Sequence, residues 1–581
     1  MQTTMSGRVR RRRRLAPYIG LLILFCLSAA AAVFAWWSSQ PNRAHETPEY
    51  MAKAHPIMNN GAWTGDYAIG EGEGLWIPMP LAKELFGDGL RYEAKTESII
   101  MTSDTRVLHF KTGELSATLN SKPFSLSFGA KKADDGTLYL PLAPLRQLFG
   151  LNAETAETTG IVSLTEPGLA IQKAEVPAAN KKGAQLRSGT GKSHPIVQDL
   201  KAGDTLIVWA EENGWYKVQT AAGFLGYMSK RDVSLRGIEE TPSGAIEEQD
   251  EPYVPWKVTG KRINLTWDAI YSVQPDPAKI GEWTGVNVVS PSWFSLKDGQ
   301  GNIQSKADAA YSSWARGKGM QVWAMFNNSF EPDRTHEALS SYESRNRMIQ
   351  QLIAYVRTFR LQGINLDFEN VYTKDKDNLI QFVRELTPLM HEQRASVSID
   401  VTPKSNSEMW SAYLDRGRLA QGVDYLILMA YDEHWATSPT SGSVASLPWT
   451  ESSLAKIIKE DGVRPDQLIL GMPFYARVWT EKTDDKGKTV VSSKAIGMDA
   501  VAKLVKEKEI KPVLSEETGQ YYAEFVEDGA LQRIWLENDY SIKARVQLVK
   551  KYKLAGAATW NRTFASADIW SVLDKALQSY P

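Results

Sequence analysis

The sequence predicts a multidomain protein that ends in an α/β (β/α)8 TIM barrel, and three observations lead there. Beyond residue 258, eight apolar strand-like runs alternate with stretches of helical periodicity, the order that parallel βα units require. From 174 to 236, short strands follow one another with only turns between them, as a small β barrel would. Closer to the start, two similar segments repeat, each reading as a strand followed by a helix. A chain of 581 residues is also too long for one core, so several units are expected.

The first informative segment is N-terminal. Arg8 and Arg10 to Arg14, in a basic tail over 1–14, precede an almost uncharged run over 15–37. That run is long enough for a transmembrane helix, and basic residues ahead of it predict a cytoplasmic tail and an exported remainder. Trp36 and Trp37 suit the far membrane interface. The alternative is a signal sequence cleaved after the small residues Val33 and Ala35. The expected location is therefore a bacterial cell membrane, single-pass with its working part outside, or the cell wall if the segment is removed.

Between 60 and 168, Leu75–Gly87 (LWIPMPLAKELFG) aligns with Leu138–Gly150 (LYLPLAPLRQLFG). Each reads as a strand, a helix opened by proline and closed by glycine, then a β-rich tail such as Ser98–Thr102 or Gly160–Leu164. This predicts an α+β two-repeat domain, and it resembles the stalk-like N-terminal domain of copper amine oxidases. Without clustered His or Cys that resemblance implies a spacer and no copper. In 174–236 the order LRSG, IVQDLKAGD, ENGWYKVQ, GFLGYMS resembles a bacterial Src-homology-3-like domain, which implies contact with cell-wall peptides. Trp215 and Tyr216 are either its ligand platform or its core. The acidic, proline-bearing stretch 237–257 reads as a linker.

Composition excludes other classes. With 67 basic and 68 acidic residues there is no positive field to gather nucleic acid. The single Cys26 lies in the apolar run, and the seven histidines lack HxH or HExxH spacing. No disulfide framework, metal or cofactor is expected.

The eight barrel strands, over 258–581, are expected at Arg262–Trp267, Gly285–Ser290, Gln321–Phe326, Gly363–Glu369, Ser396–Val401, Tyr425–Tyr431, Leu468–Phe474 and Gly556–Trp560. In the fourth, INLDFEN, period-two alternation sends Asn365, Asp367 and Glu369 to one face and Ile364, Leu366 and Phe368 to the other. The apolar set can pack on helices while the polar set enters the barrel. Two carboxylates buried so close together raise the proton affinity of at least one, as an acid catalyst at neutral pH requires. The sixth, YLILMAYDEHW, brings Met429, Tyr431 and Asp432 to the same mouth, where barrel enzymes build their sites.

Together these motifs resemble glycoside hydrolase family 18, whose fourth strand carries DxxDxDxE and whose sixth carries MxYD. Asp367 and Glu369 match the last two acids, Met429, Tyr431 and Asp432 match the second motif, and Trp560 in AATWN matches the tryptophan flooring the sugar subsite. The resemblance implies retaining, substrate-assisted hydrolysis of β-1,4 linkages of N-acetylglucosamine-containing glycans, with Glu369 as acid. Asp367 and Tyr431 would hold the substrate's acetamide. Gln362 and Asn365 replace the first two acids of the motif, and Asn365 is expected to donate to Asp367. That asparagine resembles the spore-cortex and cell-wall lytic branch, which, with VWAMFNN in place of the glycine-rich third strand, favours peptidoglycan or soluble chitin oligosaccharides over crystalline chitin. Trp293 and Trp435, each in a loop after a strand, are expected to stack on sugars, and Tyr475 and Arg477 to line the cleft. Trp267, Phe326, Trp449 and Trp479 are weaker candidates, and His434 is expected to be a bystander. The rival reading is a catalytically silent glycan-binding wall scaffold.

Overall fold

The computed structural model describes residues 16–242, 253–255, 261–483, 485 and 487–578. The chain forms two compact units. One comprises Met1–Leu85 with Ser127–Glu248, the other Phe86–Leu126 with Gln249–Pro581.

In the first unit the repeated strands Gly74–Pro78 and Leu138–Pro141 pair antiparallel, with Pro78 opposite Tyr139 and Trp76 opposite Pro141. Each leads into an eight-residue helix, Met79–Phe86 or Leu142–Phe149. The second helix stops at Gly150, whose φ of 71° accommodates the left-handed cap. A seven-stranded sheet follows in the order 196–200, 184–187, 225–229, 215–220, 205–212, 170–175, 234–240. Ala174, Leu186, Leu206, Val218 and Met228 form its core, with Tyr216 packed against them. The strand Ser234–Glu240 runs into the expected linker, most of which lies outside the described residues, as does the basic tail. The expected anchor falls on the helix Ala16–Ser39, several of whose side chains are outside the described set. Among the described residues, no helix is long and apolar enough to cross a membrane.

The second unit holds the barrel. Its strands are β1 Ile263–Asp268, β2 Val288–Pro291, β3 Gln321–Asn327, β4 Gly363–Asp367, β5 Ser396–Val401, β6 Tyr425–Met429, β7 Leu468–Pro473 and β8 Gly556–Trp560. They hydrogen-bond in parallel, and β1 pairs with both β2 and β8, which closes the ring. Leu265, Trp267, Trp323, Met325 and Ile427 fill the interior. Ile364, Leu366 and Phe368 of the fourth strand join the outer core under the helices, as the alternation of INLDFEN predicts.

Two features lie beyond the sequence reading. An inserted antiparallel sheet (Tyr475–Thr483, Thr489–Gly497, Val513–Ser515, Gln520–Glu527, Ala530–Trp535) interrupts the barrel between β7 and β8. Also, the five-stranded meander over 90–125, expected to be the tail of the first repeat, belongs to the barrel's unit. It is tied to α1 (Tyr342–Phe359) and α2 (Lys376–His391). Arg345 of α1, fully buried, donates to Glu93 of the meander at 2.7 Å and to Glu385 of α2 at 2.8 Å. Ile100 and Val107 of the meander enter the barrel's outer core. Removing one partner of such a cluster strands buried charge. Arg345→Ala should therefore destabilise this unit by about 3–5 kcal/mol, read as a drop in denaturation midpoint; an unchanged midpoint would show that the cluster contributes nothing.

Candidate active site

The barrel mouth is built from the ends of β1, β4, β5, β6 and β8. On β4 the ladder stops at Asp367 rather than Glu369, because a side chain takes over. Asn328, just past β3, accepts from the Glu369 N–H at 3.1 Å and donates to its carbonyl at 2.7 Å. Asn328 is itself held by Thr335 at 2.9 Å. Glu369 thus stands in a loop with its backbone clamped, and Tyr413 anchors the preceding carbonyl, Phe368 O, at 2.6 Å.

Asp367 and Glu369 share this end of the barrel without a cation bonded to either among the described residues. Burial pushes the Asp367 carboxyl up to about 7. Burial, then the charges of Asp367 and Asp432, hold Glu369 well above the usual carboxylate range. A third carboxyl, Asp400 at the end of β5, is likewise held high by burial and by Asp367. These causes also keep the Tyr431 hydroxyl protonated, since its pKa is raised well above 10. A carboxyl raised by burial and by the charge of its neighbour, beside that neighbour as the ionising partner, is the division of labour general acid catalysis needs.

Asn365 corrects an expectation. It donates to Ser398 at 3.1 Å and to Asp400 at 2.9 Å, and accepts from Trp267 at 2.9 Å and Ser290 at 3.1 Å. All four of its hydrogen-bonding positions are used and it is fully buried. It therefore neither donates to Asp367 nor can touch a substrate; it is a crosspiece of the barrel.

The aromatic wall comes together. Trp560, partly exposed at the end of β8, lies 5.9 Å from Trp267 between ring centroids, with Tyr431 6.4 Å from Trp267 on another side. Tyr475 lies 6.4 Å from Tyr431, donates to Asp432 at 2.6 Å, and Arg477 reaches the same carboxylate at 3.2 Å. The inserted sheet thus supplies Tyr475 and Arg477 as props for Asp432. Met429 is buried at the end of β6.

Trp293 is the other correction. It is 1% exposed, packs edge-on to Tyr311 at 5.4 Å and near Phe359, and lies in the outer core. The chain after β2 forms a hairpin, Phe294–Leu296 with Ile303–Ser305, that pairs beside β3 and turns the indole away from the mouth. Trp435, by contrast, is 53% exposed in the loop after β6. Trp479 and Phe326 are core, Trp449 packs on the core's edge, and His434 bonds to Ser443 O. Among the described residues no cluster of His, Cys, Asp and Glu could hold a metal ion. Asn328 and Asp400 belong to no motif that the sequence displays. The alternation Ser396, Ser398, Asp400 in SVSIDV points all three inward and could have flagged the latter.

Residues 287–565 match the family "Glycosyl hydrolases family 18", and residues 182–234 match "Bacterial SH3 domain". "Uncharacterized glycosylase YvbX" of Bacillus subtilis is 25% identical over 304 residues, covering 50% of this chain and 85% of the relative. "Cortical fragment-lytic enzyme" of Bacillus anthracis is 22% identical over 258 residues, covering 42% of this chain; the chain spans 57% of that relative. Among solved structures, the Bacillus cereus spore cortex-lytic enzyme SleL is similar at 15% identity and a TM-score of 0.48, over 70% of this chain and 98% of that one.

Proposed function

We propose that this chain, a glycoside hydrolase whose barrel is a glycosyl hydrolases family 18 domain, cleaves β-1,4 linkages of N-acetylglucosamine in peptidoglycan by substrate-assisted hydrolysis. The observation that carries the reading is the placement of Glu369, its backbone clamped by Asn328 two residues beyond the buried Asp367 at the mouth that Tyr431 and Trp560 line, with burial and the charges of Asp367 and Asp432 raising its carboxyl.

In this reading Glu369 gives its proton to the glycosidic oxygen as the C1–O bond breaks. The acetamido oxygen of the same sugar attacks C1 and closes an oxazolinium ion, so the protein supplies no nucleophile, an exception to the two-carboxylate scheme. Ionised Asp367 accepts from the acetamide N–H and offsets the charge that develops on it, while Tyr431 donates to the acetamide oxygen. Water then attacks C1 from the side the leaving group vacated, giving its proton back to Glu369, with net retention. Trp560 floors the sugar, and Trp435 and Asp432 border it.

Two features favour peptidoglycan over chitin: the bacterial SH3 domain beside the enzyme and the similarity to a protein named for cortical fragments. The apolar run over 15–37 would hold the enzyme on the outer face of the membrane, or release it to the wall if cleaved.

The reading is tested by incubating the full-length chain with purified peptidoglycan and with N-acetylglucosamine oligomers, with and without a thiazoline analogue of the oxazolinium ion. We expect faster release from peptidoglycan, products ending in reducing N-acetylglucosamine, and competitive inhibition by the thiazoline. Faster release from the oligomers would move the substrate to chitin; indifference to the thiazoline would remove substrate assistance.

A further inference from the structure

We propose that Asp400 is a positioning residue, held as a neutral acid whose O–H donates a hydrogen bond to Asp367 and keeps that carboxylate ionised and aimed at the substrate. The inference rests on the catalytic reading above.

Placement comes from the strand register. Asn365 of β4 pairs with Ser398 of β5 and Leu366 with Ile399; one step further along, Asp367 stands beside Asp400. Adjacent strands lie about 4.8 Å apart, and both side chains point inward. Asp400 is 2% exposed. Its Oδ1 accepts from Asn365 at 2.9 Å, whereas its Oδ2 is buried without a partner, and so is Oδ1 of Asp367.

Those two orphans are complementary. A buried acid O–H needs an acceptor, and a buried carboxylate oxygen needs a donor. A single proton on Asp400 Oδ2, directed to Asp367 Oδ1, satisfies both after a rotation of either carboxyl. Both groups cannot be ionised at that spacing without a cation. Other buried carboxylates of this unit are treated differently. Asp268, at the end of β1, has Arg562 at 2.8 Å and the Tyr311 hydroxyl at 2.8 Å; Glu385 has Arg345, and Glu537 has Arg545 at 2.6 Å. The titratable groups facing Asp400 are Asp367 and Glu369 from β4 and its loop, and Tyr431 from the loop after β6. Burial and the charges of Asp367 and Glu369 favour a neutral Asp400, against the hydrogen bonds from Asn365 and Trp267, which favour the ionised form; Tyr431 is itself neutral. Burial and the charge of Asp367 hold Asp400 well above its ordinary range, whereas burial alone raises Asp367.

The test compares full-length wild type with Asp400→Asn and Asp400→Leu. Asparagine keeps a donor toward Asp367 without a titrating proton; leucine removes the donor while keeping the branched outline of the side chain. The pH profile of kcat/KM is measured on 4-nitrophenyl N,N′-diacetylchitobioside. Asp400→Asn should keep the acid limb and lie within about threefold of wild type, whereas Asp400→Leu should lose at least about tenfold at pH 6 and shift the acid limb upward by about one unit. Equal losses in both variants with an unmoved acid limb would overturn the proposal, because a role in packing alone predicts that pattern. A second readout needs no turnover. The infrared difference between wild type and Asp400→Asn at pH 7.5 should contain a protonated-carboxyl C=O band, and carboxylate bands in its place would overturn the proposal. If wild type cleaves neither this glycoside nor peptidoglycan, the catalytic reading fails, and the infrared result still decides the state of Asp400.

Discussion

Glu369→Gln is expected to fold as wild type does and to slow glycan hydrolysis by about a hundred- to ten-thousand-fold. Glutamine has nearly the shape of glutamate, and the backbone at 369 is clamped by Asn328 whatever the side chain. The loss is therefore chemical: an amide cannot protonate the departing oxygen. Leaving-group dependence separates this from a binding defect. A 2,4-dinitrophenyl glycoside, whose leaving group departs without a proton, should lose far less in the variant than an oligosaccharide does. Equal losses on both would place the defect elsewhere. In wild type, activity should fall on the alkaline side as Glu369, raised by burial and by Asp367 and Asp432, gives up its proton.

Asp367→Asn is expected to move activity and stability in opposite directions. Replacing the carboxylate removes the charge facing the developing oxazolinium, at a cost of about 10²–10³ in kcat. The stability effect follows from the raised carboxyl. Folded Asp367 titrates at about 7 against an ordinary 3.8, so between these values the native chain holds a proton that the unfolded chain has released. That contribution is complete below pH 4 and is lost as pH rises through 7. By pH 8 wild type has given up about 4 kcal/mol relative to acid at this residue. Asparagine, which does not titrate, should make the variant melt higher than wild type at pH 8, with the advantage shrinking towards pH 4. A variant less stable at pH 8 would show that Asp367 is not buried as described.

How much of this was legible in the sequence depended on whether the determining contact was local. INLDFEN announced itself because two-residue alternation needs only seven neighbouring residues, and the same alternation put Leu366 and Phe368 under the helices. SVSIDV alternates equally well, yet a lone acid in a strand carries no motif; its meaning depends on Asp367 one strand away. The partners of Asn365 are hidden from its own strand for the same reason. Its four hydrogen bonds go to β1, β2 and β5, which alternation within β4 cannot reveal. Trp293 failed because a tryptophan after a strand can turn either way, and a hairpin pairing beside β3 decided it. The meander's attachment to the barrel depends on Arg345, Glu93 and Glu385, more than 200 residues apart at the extremes. The inserted sheet lies between two recognisable strands and carries no motif of its own; its Tyr475 and Arg477, expected to line the cleft, are buried against Asp432.

The measurement closest to the central claim is mass spectrometry of the sugars released from purified peptidoglycan by the full-length chain and by its Glu369→Gln variant, side by side. The account predicts fragments ending in reducing N-acetylglucosamine from wild type and almost none from the variant. Equal release by the two would contradict Glu369 as the acid, and intact peptidoglycan with wild type would contradict peptidoglycan as the substrate.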